Sequence, residues 1–322
     1  MAIKKIAVLT SGGDAPGMNA AVRAAVRTAL GRGVEVYGVY RGYNGLINGD
    51  IQPLNLRSVS DIIHRGGTVL YTARSPEFCT EEGMQKAISV CNEHGIEGLI
   101  VAGGDGSFRG AQDLTQRGIP CIGLPCTIDN DIACCEQTIG YDTALNTCMS
   151  MIDKLRDTSQ SHDRCSVVEV MGRHAGYLAL NVGIAVGATS IIVPEMPYDF
   201  DRDILQRMKK TSLTGKKHFI IIVAEGIGHV VEIAERIQKE TGVESRATIL
   251  GHVQRGGDPT VRDRVLASQM GNHAVELLLA GKSNRVVTIQ NDRLWDYDIE
   301  EALKMKKPFD RDLFRIAHEI SI

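Results

Sequence analysis

The stretch IAVLTSGGDAPGMNAAVRAAVRTAL, residues 6–30, decides the fold class. It begins with a short apolar run, passes through a glycine-rich loop and continues as an alanine-rich segment with helical spacing. Further Val/Ile/Leu runs follow, each ending in glycine or polar residues and each followed by helix-like periodicity. They span residues 34–40, 99–102, 121–124, 167–170, 191–193, 219–223 and 248–250. This alternation predicts an α/β protein with parallel sheets and crossover helices.

The length predicts two domains, because 322 residues exceed one ordinary domain. Polar, glycine-rich motifs follow the apolar runs in both halves of the chain. We therefore expect two similar layered domains whose strand ends face one cleft. The boundary near residue 140 has no Pro/Ser-rich linker, so the chain could cross between the domains more than once.

Charge and cysteine usage exclude several classes of function. The net charge is -3, and no run of like charge extends beyond Lys304 to Lys307, so nothing marks a nucleic-acid or membrane surface. The eight cysteines form no C-x-x-C pair, which is typical of reduced, packed thiols. The apolar run at the N-terminus is too short for a signal peptide. We expect a cytoplasmic protein.

The loop from Ser11 to Gly17 has the composition of a phosphate-binding loop. Its glycines let backbone N–H groups approach a polyanion, and the following helix adds roughly half a positive charge at its N-terminus. The spacing matches neither a P-loop nor G-x-G-x-x-G, so both motifs are rejected. A tight strand-to-helix turn without a ligand is the alternative.

The motif GGDGS, residues 103–107, places Asp105 at the end of an apolar run and between glycines. Mg²⁺ binds one or two carboxylates together with phosphate oxygens and water, so Asp105 is a candidate magnesium ligand. Ligands of open α/β sheets bind beyond the carboxyl ends of the strands. That position favours a binding role over a simple Asp-Gly turn.

The motif TIDND, residues 127–131, places two carboxylates on one face of an extended segment. Asp129 and Asp131 together with Thr127 could hold a metal and abstract a proton. A solvated acidic turn is the alternative. The preceding segment looks buried, however, and three polar groups on one buried face would need partners.

Six motifs in this order, SGGDAPGMNAA, GGDGS, TIDND, VEVMGRHAG, VAEG and GHVQRGG, resemble those of the bacterial ATP-dependent 6-phosphofructokinases. The resemblance covers almost the whole chain, and only GGDG is shared with NAD kinases and diacylglycerol kinases. It implies two Rossmann-like layered α/β domains with parallel-rich sheets and an active site in the cleft between them. The implied ATP-binding domain comprises residues 1–140 and about 258–308, and the implied fructose-6-phosphate-binding domain comprises residues 141–257 and 309–322.

The resemblance implies transfer of the γ-phosphoryl group of ATP to O1 of fructose 6-phosphate. Asp129 is the implied general base, and Thr127 and Arg173 are implied to hold the transferring group. Asp105 is the implied Mg²⁺ ligand, with Asp131 assisting through water. The implied ATP-binding residues are Gly13, Arg74, Ser75, Gly104, Asp105, Gly106 and Ser107.

The resemblance also assigns a site for the sugar phosphate. The implied substrate-binding residues are Thr127, Ile128, Asp129, Arg164, Met171, Gly172, Arg173, Glu225, Arg246, His252 and Arg255. Arginine side chains suit the 6-phosphate because guanidinium groups bind phosphate bidentately. Arg164 and Arg246 are implied to reach in from a neighbouring subunit, so a homotetramer with shared active sites is expected.

An effector site is a further implication. Arg23 and Arg27 share a face of the first predicted helix, where a solvated stripe is the alternative. The resemblance places them with Arg156 and Lys216 in a site for ADP or phosphoenolpyruvate at a subunit interface. Well-regulated members carry a Glu and an Arg where this chain has Thr189 and Thr214, so weak activation is expected.

Gly106 favours ATP over pyrophosphate as the phosphoryl donor. Pyrophosphate-dependent relatives tend to have an Asp there, and its charge at about 4 Å would repel the α-phosphate of ATP by roughly 4 kcal/mol. Cys126 stands where the family usually has Gly, and a thiol near the base predicts sensitivity to oxidants. A pyrophosphate-dependent phosphofructokinase and a catalytically silent nucleotide-responsive binding protein stay open as alternatives.

Overall fold

The computed structural model describes residues 3–321, and the chain divides into two compact units. Unit 1 comprises the chain up to Ile128, Ile132–Thr143 and Arg255–Lys307. Unit 2 comprises Asp129–Asp131, Ala144–Gln254 and the chain from Pro308 onward. These divisions lie close to the predicted positions 140, 258 and 308, except that the three residues from Asp129 group with unit 2. Which substrate each unit binds stays a prediction.

Strands and helices alternate along most of the chain, as the apolar runs predict. The strands are β1 (Lys5–Thr10), β2 (Glu35–Val39), β3 (Ile51–Leu54), β4 (Gly98–Gly103), β5 (Cys121–Pro125), β6 (Cys165–Val170), β7 (Ser190–Ile192), β8 (Phe219–Ala224), β9 (Ser245–Ile249), β10 (Arg285–Gln290) and β11 (Arg293–Asp298). The α-helices are α1 (Met18–Gly31), α2 (Gly42–Asn48), α3 (Glu81–His94), α4 (Asp105–Gln116), α5 (Tyr141–Ser161), α6 (Tyr177–Ala185), α7 (Gln206–Leu213), α8 (Val230–Thr241), α9 (Val261–Leu279), α10 (Ile299–Lys304) and α11 (Arg311–Glu319).

Unit 1 contains a seven-stranded sheet in the order β11-β10-β5-β4-β1-β2-β3. Its central strands are parallel, while β3 and β11 pair antiparallel at the two edges. β4 and β5 are buried along their whole length, because helices cover both faces of such sheets. The strand order reverses between β1 and β4, which is the position at which open α/β sheets bind ligands.

Helices α1 and α9 pack closely together in unit 1. A Cβ atom added to Gly271 of α9 would lie 2.6 Å from the backbone oxygen of Ala21 and 2.9 Å from the Cβ of Ala24. Glycine and alanine therefore allow the two backbones to approach. The alanine-rich composition of α1 serves this packing.

Unit 2 contains a four-stranded parallel sheet in the order β7-β8-β6-β9. Its core includes Phe219, Ile221 and Val223 of β8. Ile204, just before α7, and Met208, within α7, belong to the same core. The predicted strand at 248–250 is shifted, because pairing with β6 runs from Ser245 to Ile249. The loops that follow β6, β8 and β9 thus leave neighbouring strands.

Among residues 3–321, no helix is long and apolar enough to cross a membrane.

Candidate active site

The loops that follow β1 and β4 lie together at the reversal of strand order in unit 1. The backbone N–H of Ser11 donates a hydrogen bond to the oxygen of Ala102 at 2.9 Å. A Cβ atom on Gly103 would lie 2.6 Å from the backbone oxygen of Ser11. Gly103 is therefore required for this approach, and the two glycine-rich motifs form one continuous surface of backbone.

Helix α4 starts at Asp105, with Gly104 as its N-cap residue. The dipole of α4 and the N–H groups of its first turn favour an anion at this end. Ser107 is buried, and its backbone oxygen accepts a hydrogen bond of 2.6 Å from the hydroxyl of Tyr43. A Cβ atom on Gly106 would meet no other atom within 4 Å. The surface beside Gly106 is open, as a phosphate site requires.

Arg255 lies against the first glycine-rich loop. Its Nη1 donates to the backbone oxygen of Asp14 at 3.1 Å. A Cβ atom on Gly13 would collide with the same guanidinium group. Gly13 therefore has a second role that its motif did not reveal, because it makes room for an arginine that is distant in the sequence.

The predicted nucleotide residues Arg74 and Ser75 follow a segment that is fastened to the same loop. Thr72 donates from Oγ1 to the backbone oxygen of Gly12 at 2.8 Å, and Thr10 donates from Oγ1 to that of Tyr71 at 2.7 Å. Arg74 itself is exposed. Exposed Arg74 thus follows a segment that is hydrogen-bonded to this loop.

The TIDND segment continues the line of β5. The backbone N–H groups of Cys126 and Thr127 donate to the oxygens of Gly103 at 2.9 Å and Ile139 at 3.1 Å. Thr127 is 9% exposed and Asp129 6% exposed. Asn130 has φ of 52°, a left-handed conformation that Asn tolerates better than most residues. Asp129 is therefore a shielded carboxylate in a tightly constrained turn.

Cys126 does not have the properties of a reactive thiol. Its side chain is buried, and burial together with the neighbouring Asp263 raises the pKa of the thiol. The thiolate, which is the reactive form, is thereby disfavoured. The structure gives no support to the predicted oxidant sensitivity at this residue, because the thiol at the end of β5 is buried.

The loops after β6 and β8 contact each other in unit 2. The backbone N–H of Arg173 donates to Oε2 of Glu225 at 3.0 Å, and that of Glu225 donates to the oxygen of Val170 at 2.8 Å. A Cβ atom on Gly226 would lie 2.8 Å from the oxygen of Arg173. Arg173 has φ of 59°, and its side chain is exposed. Met171, Gly172, Arg173 and Glu225 are therefore brought together as predicted for one site.

Arg164 and Arg246 share one carboxylate. Oε2 of Glu244 lies 2.9 Å from Nε of Arg164, and its Oε1 lies 2.7 Å from Nη2 of Arg246. Hydrogen bonds from these two arginines hold the pKa of the Glu244 carboxyl below its usual range, and the bond from Arg164 has the larger effect. The two arginines predicted to act as a pair are thus held on one surface of unit 2, and the sequence motifs did not reveal Glu244.

Two further residues near the predicted site were missed from the sequence. Tyr177 starts α6, and burial together with nearby Glu195 and Asp131 raises its pKa to about 12. Gln254 is completely buried within the short 3-10 helix Gly251–Arg255, which also contains exposed His252 and half-buried Arg255. The sequence offered one indication of a role for Gln254, which is its position inside the motif GHVQRGG.

Two of the four predicted effector residues, Arg156 and Lys216, lie close together in unit 2. Burial and the charge of Arg156 lower the pKa of Lys216, so these two cations are close. Arg23 and Arg27 lie on α1, where Arg23 is half-buried and Arg27 exposed. Thr189 is 0% exposed, and its hydroxyl has no hydrogen-bond partner among the residues described. Thr189 therefore presents no ligand to the surface.

No group of three or more His, Cys, Asp or Glu side chains within residues 3–321 is arranged to hold a metal ion. A metal at Asp105 would need oxygen ligands from a bound phosphate. This donor set fits Mg²⁺, which combines one or two carboxylates with phosphate oxygens and water.

The fold and the site together define an α/β protein built to bind phosphate groups at its strand ends. The sequence profile of the phosphofructokinases, described as "Phosphofructokinase", matches residues 5–278. The chain belongs to the phosphofructokinase family.

Similarity to individual proteins extends along the whole chain. An ATP-dependent 6-phosphofructokinase of Bacillus cereus (strain B4264) is 57% identical over 320 residues, covering 99% of this chain and 100% of the relative. A solved phosphofructokinase from Saccharomyces cerevisiae is 36% identical with a TM-score of 0.88, covering 94% of this chain and 45% of that longer chain. A pyrophosphate-dependent phosphofructokinase from Marinobacter aquaeolei, 22% identical with a TM-score of 0.86, covers 98% of this chain and 91% of its own, and shows the fold alone.

Proposed function

We propose that this chain is an ATP-dependent 6-phosphofructokinase, which transfers the γ-phosphoryl group of ATP to O1 of D-fructose 6-phosphate. The products are fructose 1,6-bisphosphate and ADP. The observation that carries the proposal is the 57% identity, over 99% of this chain, to a relative of that name. The motifs of the two units support it, because each supplies phosphate-binding backbone or cationic side chains at strand ends.

Asp129 is the proposed general base. Its carboxylate takes the proton from the O1 hydroxyl while a bond forms between O1 and the γ-phosphorus and the bond to the ADP oxygen breaks. A positioned base typically contributes about 10²- to 10⁴-fold to the rate. The shielded position of Asp129 suits this role, since little water competes for the proton. Thr127 and Arg173 hold the transferring group and stabilise its charge.

The nucleotide site is proposed to consist of the two joined glycine-rich loops with the exposed Arg74. Backbone N–H groups at the start of α4 bind phosphate oxygens, and Asp105 would hold Mg²⁺, with Asp131 assisting through water. Mg²⁺ neutralises charge on the β- and γ-phosphates when bound. Ser75, Gly104 and Ser107 complete the proposed contacts to ATP.

The sugar site is proposed to combine the contacting loops after β6 and β8 with the side chains of His252 and Arg255. Charge-assisted hydrogen bonds to phosphate contribute roughly 1.5–3 kcal/mol each. Arg164 and Arg246 are proposed to bind the 6-phosphate of the sugar held in a neighbouring subunit's active site. The proposed assembly is a cytoplasmic homotetramer. That both sets of loops face one cleft stays a prediction, as does the effector site for ADP or phosphoenolpyruvate.

The choice of donor is the decisive test of this function. Purified protein should convert fructose 6-phosphate to the bisphosphate with ATP and Mg²⁺, and it should show no turnover above background with pyrophosphate. Turnover with pyrophosphate alone would identify the alternative enzyme. Binding of ATP without turnover of either donor would identify a silent nucleotide-responsive protein.

A further inference from the structure

Gln254 makes three hydrogen bonds from a completely buried amide. Its Oε1 accepts from the backbone N–H of Met171 at 3.0 Å and from the Sγ of Cys148 at 3.1 Å. Its Nε2 donates to the backbone oxygen of Gly251 at 3.0 Å. These partners come from a loop, from α5 and from the 3-10 helix that contains Gln254.

The two segments that Gln254 joins both carry proposed contacts to the sugar phosphate. Met171 starts the loop that continues with Gly172 and Arg173, and the 3-10 helix presents His252 and Arg255. The bond to Gly251 closes the helix locally, while the bond to Met171 fixes the loop against it. A buried amide that satisfies a loop N–H holds that loop in one conformation, because the N–H has no other partner if the amide is lost.

We propose that Gln254 is a positioning residue for sugar-phosphate binding. It does not touch the substrate; it sets the distance between the loop after β6 and the helix after β9. The proposal rests on the proposed function of those two segments. We expect its loss to weaken sugar-phosphate binding more than ATP binding, because its bond to Met171 holds the loop after β6.

Replacement of Gln254 by Met tests the proposal, since Met has a similar size and makes none of the three amide hydrogen bonds. We expect the KM for fructose 6-phosphate to rise about tenfold, the effect of one lost hydrogen bond, while the KM for ATP stays within about twofold. The kcat should fall less than this KM rises, because loosened ground-state contacts act mainly on binding. The shorter side chain in Gln254→Asn keeps the amide but cannot reach both the N–H of Met171 and the oxygen of Gly251. Its KM for fructose 6-phosphate should therefore lie between those of the wild type and Gln254→Met.

Two control variants separate positioning from general destabilisation. Cys148→Ala removes only the thiol partner of Gln254 and should leave both KM values within about twofold of the wild type. Ile204→Val removes a methylene from the core of unit 2 and should lower the unfolding midpoint without changing the KM for fructose 6-phosphate.

A folded Gln254→Met or Gln254→Asn protein with an unchanged KM for fructose 6-phosphate would overturn the proposal. So would an equal rise in both KM values. If the wild type shows no turnover, the proposed function fails separately, and calorimetric binding of fructose 6-phosphate to the same variants still decides the role of Gln254. Equal sugar affinity in wild type and variant would then reject it.

Discussion

At the residue scale, Asp129 and Gly106 have opposite surroundings. Asp129 is 6% exposed in a turn fixed by its neighbours, whereas Gly106 borders open space. A replacement of Asp129 therefore changes the chemistry of a shielded carboxylate. A replacement of Gly106 adds a side chain in open space. Single replacements can thus test the base and the choice of donor independently.

Asp129→Ser should lower kcat by at least about 100-fold and leave the KM for fructose 6-phosphate within a small factor, because a base acts mainly in the transition state. Steady-state kinetics with ATP in excess measure both quantities. Asp113→Ser, on the exposed face of α4, is the matched control and should behave as the wild type. Near-normal turnover in Asp129→Ser would remove this residue from its role.

Gly106→Asp should reduce kcat/KM for ATP by up to about a thousandfold, the equivalent of roughly 4 kcal/mol of repulsion between carboxylate and phosphate. The open space at this position means that the effect comes from charge. Gly106→Asn, equal in size but neutral, is the control and should retain most of the activity. If the Asp and Asn variants had the same ATP kinetics, residue 106 would not lie beside a phosphate.

At the element scale, the sequence predicted wholly buried strands as apolar runs but missed β3, β10 and β11. β4 and β5 are wholly buried and were found as apolar runs, whereas the edge strands β3 and β11 lie outside every predicted run. β3 includes Pro53, and no residue of β11 is fully buried, so neither forms an apolar run. Gln254 bonds to Met171 and Cys148, which are 83 and 106 positions away in the sequence. No pattern in the neighbouring sequence predicts these bonds. The motifs therefore predicted the functional loops but not the distant residues that hold them in place.

The segment between α6 and β7 belongs to the same scale, because it holds Thr189, where the family resemblance predicts a Glu in regulated members. A threonine has no carboxylate for an effector's Mg²⁺, and this one is fully buried. We expect micromolar ADP or phosphoenolpyruvate to shift half-saturation by fructose 6-phosphate by less than about threefold, because a ligand can shift an equilibrium only by its differential affinity. Titration at subsaturating fructose 6-phosphate measures this shift.

Lys216→Ala should abolish whatever effector response the wild type retains, since Lys216 lies beside Arg156. Exposed Lys209→Ala is the matched control and should leave that response intact. A strong shift by either effector in the wild type would contradict the expectation.

At the scale of the whole molecule, the pairing of Arg164 and Arg246 through Glu244 bears on assembly. One carboxylate holds both guanidinium groups on a single surface of unit 2. A phosphate presented to that surface would exchange one anionic partner for another. The proposed sharing of active sites between subunits makes this exchange depend on oligomer formation.

Mixed oligomers test this sharing. Subunits carrying Arg164→Ala and subunits carrying Asp129→Ser should each be inactive alone, and random assortment in a symmetric assembly should restore about a quarter of the sites. Subunit exchange followed by assay of verified hybrids measures the recovery. A double variant taken through the same exchange should stay inactive. Absence of recovery in verified hybrids would place both residues within one subunit's site.

The return of the chain to unit 1 has a consequence for synthesis on the ribosome. A nascent chain that ends after β5 lacks both α9, which packs on α1 across Gly271, and β10, which pairs with β5. Unit 1 can close only after Lys307 has been made, whereas the long segment Ala144–Gln254 of unit 2 is already complete by then. Unfinished chains thus lack partners for apolar strands of unit 1 until late in translation, and we expect them to be more prone to aggregate than the finished protein.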